Sequence, residues 1–136
     1  MRDEYLKSSM KTASPAIQLT MIYDRLMSDL SKSEAALDRS DFQTSNELLL
    51  HAQEIIVALK ATLQIDLWPA GERLDALYEF LLSELVQANI YKDISKVTSC
   101  KEIIEPLSKA WHIAAQEVSN KGSQTEVKNV ESIVVG

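Results

Sequence analysis

The stretch from Thr12 to Leu37, TASPAIQLTMIYDRLMSDLSKSEAAL, constrains the fold more than any other part of the chain. Ser14 offers a side-chain oxygen to a free backbone N–H in a first helical turn. Pro15 follows at the first helical position, where its missing N–H costs nothing. The run that begins there continues for about six helical turns. With successive residues placed about 100° apart, Leu19, Ile22, Tyr23, Leu26, Leu30 and Leu37 fall on one stripe. Ile17 and Met21 fall on the opposite side. One apolar face serves a core, and the second demands a separate reason.

Three glycines and three prolines in 136 residues leave few places for turns, which favours long elements over a many-stranded sheet. The second helix is expected from Phe42 to about Gln64, with Asp41 as its cap after the break at Arg39-Ser-Asp. Its core stripe is Leu48, Leu49, Ala52, Ile55, Ile56, Leu59 and Leu63. Leu50, Val57 and Ala61 lie on the reverse side. After the link Ile65–Gly71, Pro69 is expected in the first turn of a third helix, with Glu72 soon after it, where negative charge is favoured. Leu74, Leu77, Tyr78, Leu81, Leu85 and Ala88 form its core stripe, while Phe80, Leu82, Val86 and Ile90 spread beyond it. The fourth helix starts at Asp93 or Ser95 and presents Cys100, Ile103, Ile104, Leu107, Trp111, Ala114 and Val118 on one face. Pro106 in its interior removes a hydrogen bond, so a kink near Glu102–Pro106 or a restart there is expected.

These elements predict an all-α protein, an antiparallel four-helix bundle over residues 14–118. Residues 1–13 form a mobile N-terminal arm and residues 119–136 a disordered C-terminal tail. Arcs this wide are normally buried on several sides, and four helices supply no fifth layer. Either the bundle is oligomeric, or it holds a partner helix, or the arm folds over part of it.

Composition excludes several function classes. A net charge of −6 argues against a nucleic-acid surface, where Lys and Arg dominate. No segment approaches the ~20 apolar residues of a membrane span, so no membrane insertion is expected. The opening MRDEYLKSS lacks the apolar core of a secretory signal, and the single Cys100 fits a reducing cytoplasm. Metal-binding bundles pair Glu-x-x-His motifs on two helices. Here His51 has Glu47 and Glu54 one turn away, but the only other histidine, His112, has Lys109 three residues before it. The reading is therefore a solvated polar face, no metal and no cofactor. Cys100 lies on a core stripe and reads as an inert buried thiol. No phosphate loop, nucleophile elbow or CxxC is present, so no enzyme is expected. Trp111 reads as packing. Trp68, in a loop before a proline, reads as exposed or capping a bundle end, with anchoring of a partner as the other possibility.

An ordered set of short elements resembles the FliS family, cytoplasmic chaperones that hold flagellin before export. Tyr5 precedes Thr12-Ala-Ser14-Pro15 at the family's spacing, and Ile22-Tyr23-Asp24 is similar to its Leu-Tyr-Asp element. Ala52-Gln53-Glu54-Ile55-Ile56, Leu77-Tyr78-Glu79-Phe80, Leu85-Val86-Gln87-Ala88-Asn89 and Ala110-Trp111 follow in order. The chain departs from the pattern at Leu67-Trp68-Pro69, in place of a Gly-Gly-Glu link, and at Pro106. The resemblance implies a helical bundle that binds the C-terminal segment of flagellin, prevents premature polymerisation and docks on the export gate protein FlhA. It implies a movable cover carrying Tyr5 and Met10. The expected client contacts are Ile17 and Met21, then Leu50, Val57 and Ala61, then Val86 and Ile90, in a monomer or weak dimer. The alternative is a structural homo-oligomer with no client.

Overall fold

Helix α1 spans Pro15–Asp38, α2 Phe42–Thr62, α3 Gly71–Tyr91 and α4 Ile94–Val135. This computed structural model describes residues 14–63 and 69–135, with side chains through 120. No strand occurs among the described residues.

The helix ends follow from local chemistry. At the start of α1, Ser14 Oγ accepts from Ile17 N–H at 3.4 Å and its carbonyl accepts from Gln18 N–H at 2.9 Å. At the end of α1, Asp41 N–H reaches back to the Ala36 carbonyl at 2.8 Å and Ser40 N–H to Leu37 at 3.0 Å. Ser40 takes the left-handed conformation this closure needs, with φ 58°, at a position glycine usually fills. Asp41 then also starts α2, its Oδ1 accepting from Thr44 N–H at 3.2 Å. The end of α3 repeats the device: Lys92 has φ 53° and Asp93 N–H bonds the Ala88 carbonyl at 3.0 Å. Asp93 Oδ1 in turn accepts from Ser95 N–H at 3.0 Å as α4 begins. A chain with few glycines thus turns twice on single polar residues, each ended by an aspartate that caps the next helix.

Two boundaries differ from the sequence reading. Pro69 lies in a turn just before α3, whose first hydrogen bond runs from Leu74 N–H to the Ala70 carbonyl. The fourth helix does not restart at Pro106. It runs through the proline and on to Val135, well past the boundary expected at residue 118. Continuity is possible because proline deletes one N–H while neighbouring bonds persist.

The chain divides into two units, Ile22–Glu105 on the one hand and Met1–Met21 with Pro106–Gly136 on the other. Within the first, every helix is tied to its neighbours. His51 Nδ1 on α2 bonds Asp29 Oδ2 on α1. Asn46 and Lys60 on α2 meet Asn89 and Asp75 on α3. Lys96 on α4 pairs with Glu84 on α3 at 3.2 Å, and Lys101 on α4 with Glu34 on α1 at 2.6 Å. The Tyr23 and Tyr78 hydroxyls meet at 2.6 Å across the diagonal from α1 to α3. These pairs define an up-down-up-down bundle, as the pattern of stripes predicts.

The core is Tyr23, Leu26 and Leu30 from α1, Leu49, Ala52, Ile56 and Leu59 from α2, Tyr78, Leu81, Leu85 and Ala88 from α3, and Val97, Cys100 and Ile104 from α4. Leu19, Ile22, Leu48, Ile55, Leu77, Ile103, Leu107, Ala114 and Trp111 are half-buried at the edges of their stripes. Val118 is exposed, contrary to its expected place on the core face. With 42 residues, α4 is far longer than the other helices.

His51 is not simply part of a solvated polar face. It partners Asp29, a carboxylate only 2% exposed, which Arg25 also approaches at 3.7 Å. A charge taken out of water needs such partners. Burial weighs on Glu34 too, but hydrogen bonds from Lys101 and Thr98 outweigh it and hold the carboxyl below its usual range.

Leu59 is 4% exposed, so Leu59→Glu buries an unpaired charge and is expected to abolish the cooperative melt in circular dichroism. For Glu34, the depressed folded value means stability that is present above the unfolded value near 4.5 and is lost as pH falls through the folded one. The melting difference between wild type and Glu34→Gln should be full at neutral pH and close on acidification.

Candidate functional site

The α2–α3 pair sets the geometry. Asn89 Nδ2 donates to Asn46 Oδ1 at 2.8 Å. Toward the other end, Lys60 Nζ lies 3.1 Å from Asp75 and 3.3 Å from Glu79. Numbers rise along α2 as they fall along α3, so the two run antiparallel in one fixed register. The hydrogen bonds to Asp75 and then Glu79 raise the Lys60 ammonium above its ordinary value and keep it occupied.

Asn46, Gln53 and Lys60 recur every seven residues and form the ridge of α2 that faces α3. The buried residues Leu49, Ala52, Ile56 and Leu59 lie to one side of that ridge. Leu50, Val57 and Ala61 lie to the other. On α3 the facing ridge is Asp75, Leu82 and Asn89. Leu74, Tyr78, Leu81 and Leu85 lie toward the core, and Val86 and Ile90 lie on the far side. Two antiparallel helices that share a core on one side leave a groove on the other. The strips carrying Leu50, Val57 and Ala61 and carrying Val86 and Ile90 are the two walls of that groove.

All five are exposed, Val57 at 54% and Ile90 at 65% among them. The structure therefore gathers onto one groove five residues that the sequence had placed outside the core stripes of two separate helices. Phe42 stands at one end of the pair with the Lys92 ammonium 5.8 Å from its ring centroid. Phe42, Tyr91 and Ile94 are exposed apolar residues the sequence reading did not single out. Each sits at a helix end, where periodicity gives no signal.

The other predicted residues fall elsewhere. Ile17 and Met21 belong to the other unit. Ile17 is partly exposed and lines an open pocket of about 440 Å³ with His112, Ala115, Gln116, Ser119 and Asn120. Met21 is half-buried. Tyr5, Met10 and Trp68 lie outside the described residues. Tyr23 is fully buried, as its core assignment requires, and Trp111 is half-buried.

The chemistry available is that of a binding surface. Among the described residues no group of three or more His, Cys, Asp or Glu is placed to hold a metal ion. Burial pushes the Cys100 thiol up to about 12, the Glu84 carboxylate adds to the effect, and Lys96 opposes it. A thiol held neutral in this way is a core residue and not a nucleophile. No helix among the described residues is long and apolar enough to cross a membrane.

Comparison with known proteins gives the family. The family described as "Flagellar protein FliS" matches residues 1–118. The chain belongs to the FliS family. The "Flagellar secretion chaperone FliS" of Bacillus subtilis (strain 168) is 29% identical over 112 residues, covering 82% of this chain and 84% of the relative. That of Vibrio cholerae is 28% identical over 114 residues, and that of Salmonella typhimurium 29% over 125. A solved structure described as "Crystal structure of flagellar chaperone from bacteria" superposes with a TM-score of 0.71 at 20% identity, over 85% of this chain and 94% of its own, and so shares the fold. FliS proteins are secretion chaperones of the flagellum and not enzymes. The stretch after residue 118 lies beyond the family match.

In the folded chain Cys100 is expected to react with a thiol reagent at pH 8 at least about tenfold more slowly than in denaturant, measured by absorbance of the released chromophore.

Proposed function

We propose that this FliS protein holds the C-terminal segment of a flagellin as a helix laid in the α2–α3 groove, keeps it from polymerising, and delivers it to the flagellar export apparatus. The observation that carries this reading is the exposed apolar strip of Leu50, Val57, Ala61, Val86 and Ile90 along one seam. Terminal flagellin segments assemble by helix packing, so a chaperone must cover an apolar helical face. An amphipathic helix in an apolar groove does so with anchors at i, i+3, i+4 and i+7.

The energetics suit a carrier. The client is unfolded before it binds, so part of the interaction offsets its ordering and the complex stays releasable. Release follows in this reading when the loaded chaperone docks on the export gate FlhA. The work is done in the cytoplasm, with one client per monomer. The N-terminal arm, with Tyr5 and Met10, acts as a cover that the client displaces. Ile17 and Met21 lie just after the Ser14-Pro15 junction from which that arm departs.

The test is calorimetric titration of the chain with a peptide from the flagellin C-terminus. Val57→Glu puts a charge into the groove wall without touching the core. It should weaken binding by at least about tenfold, while the melt stays within about 0.5 kcal/mol of wild type. Absence of binding by the wild type at micromolar concentration overturns the proposal, and unfolding by Val57→Glu overturns the facing of α2.

A further inference from the structure

The apolar strip in the α2–α3 groove is bordered by acids. On α2, Glu54 falls between Leu50 and Val57, slightly further out on the same face, and Glu47 sits about two turns before it. On α3, Glu72 and Glu79 continue the wall that begins at Ile90 and Val86. All four carboxylates are on exposed residues. Only Glu79 has a cation within reach among the described residues, and it shares Lys60 with Asp75. The groove thus carries Glu47, Glu54, Glu72, Glu79 and Asp75 against Lys60 along the seam and Lys92 at its Phe42 end, where the ammonium donates to Asn89 at 3.2 Å. Arg73 lies on the opposite side of α3, away from the seam.

This differs from how the bundle treats acids elsewhere. Asp29, Glu34 and Glu84 sit against neighbouring helices, and each has a cationic or histidine partner within its own unit. Among the described residues Glu47, Glu54 and Glu72 have none. An apolar helix lowered into the groove brings its flanks within a few ångströms of these carboxylates and displaces the water around them. Like charge on those flanks is repelled and opposite charge is attracted, and the apolar floor lowers the screening that water would give.

We propose that the groove selects an amphipathic helix of positive charge, whose apolar face meets Leu50, Val57, Val86 and Ile90 and whose flanking lysines or arginines meet Glu54 and Glu47 on one wall and Glu72 and Glu79 on the other. The inference rests on the groove being the client site and adds to it the chemistry of the client. Apolar contact supplies the attraction and tolerates sliding by a turn. The carboxylates set which helix is accepted and in which register, because a basic flank matches them only where its spacing does. Glu54, midway along the strip, is the residue on which register depends most.

The experiment uses the full chain and the flagellin C-terminal peptide, titrated at about 50 mM and about 500 mM salt, where the screening length falls from roughly 14 Å to roughly 4 Å. Wild type is expected to lose about tenfold in affinity at high salt. Glu54→Lys should lose at least about tenfold at low salt, and Glu54→Gln less, with melting temperatures unchanged because the side chain is exposed and unpaired. A peptide with one basic flank residue changed to glutamate should bind Glu54→Lys better than it binds wild type. Wild-type binding that ignores salt, together with Glu54→Lys binding as wild type does, overturns this inference and leaves the groove assignment standing. If Val57→Glu and Glu54→Lys both leave wild-type binding unchanged, the client lies elsewhere and both readings fall.

Discussion

The antiparallel register of α2 against α3 is the constraint on which the rest depends. Two polar ties hold it, Asn46 to Asn89 at one end and Lys60 to Asp75 and Glu79 at the other. Between them the seam has no buried charge, so apolar burial on the core side supplies the stability and the polar ties supply the alignment. A shift of one residue along either helix would turn its stripe by about 100° and bring a groove residue such as Val57 toward the core. The exposed strip and the buried stripe are therefore two consequences of one alignment.

The remaining two helices fix that pair from behind. The Tyr23 and Tyr78 hydroxyls meet in the interior, and burial, helped by that contact, pushes the Tyr78 phenol well above its ordinary range. The two hydroxyls satisfy each other in the interior. Asp29 and His51 do the same between α1 and α2. The exposed face of α2–α3 is left to carry apolar side chains, which the proposed function uses to hold a client. In a FliS chaperone that division matters, since the surface that takes a client must stay open while the core stays closed.

Much of this was legible in the sequence. Ser14-Pro15, Asp41 and Asp93 mark helix starts by chemistry that acts within one turn, and the structure uses all three. The core stripes of Leu49, Ala52, Ile56 and Leu59, and of Leu74, Tyr78, Leu81 and Leu85, follow from periodicity alone. What failed was long-range. The His51–Asp29 pair joins residues on different helices, and no spacing in the chain announces it. Val118 matches its stripe in phase, yet it is exposed, because phase alone does not say that a neighbour is present to cover the residue. Pro106 suggested a kink or a restart, and the helix does not restart there because the loss of one bond is local.

The sequence by itself determined that the chain is four helices, where the first, second and fourth begin, and that three of them carry more apolar surface than one core can use. Those properties are set by bonds and side-chain spacings within a few residues. Only the tertiary structure decided that Leu50, Val57, Ala61, Val86 and Ile90 share a groove, and that Glu54 stands unpaired at its edge. Periodicity places a residue on a face of its own helix. Which neighbour that face meets, and whether a charge finds a partner there, depends on the handedness and register of packing, and those exist only once the helices touch.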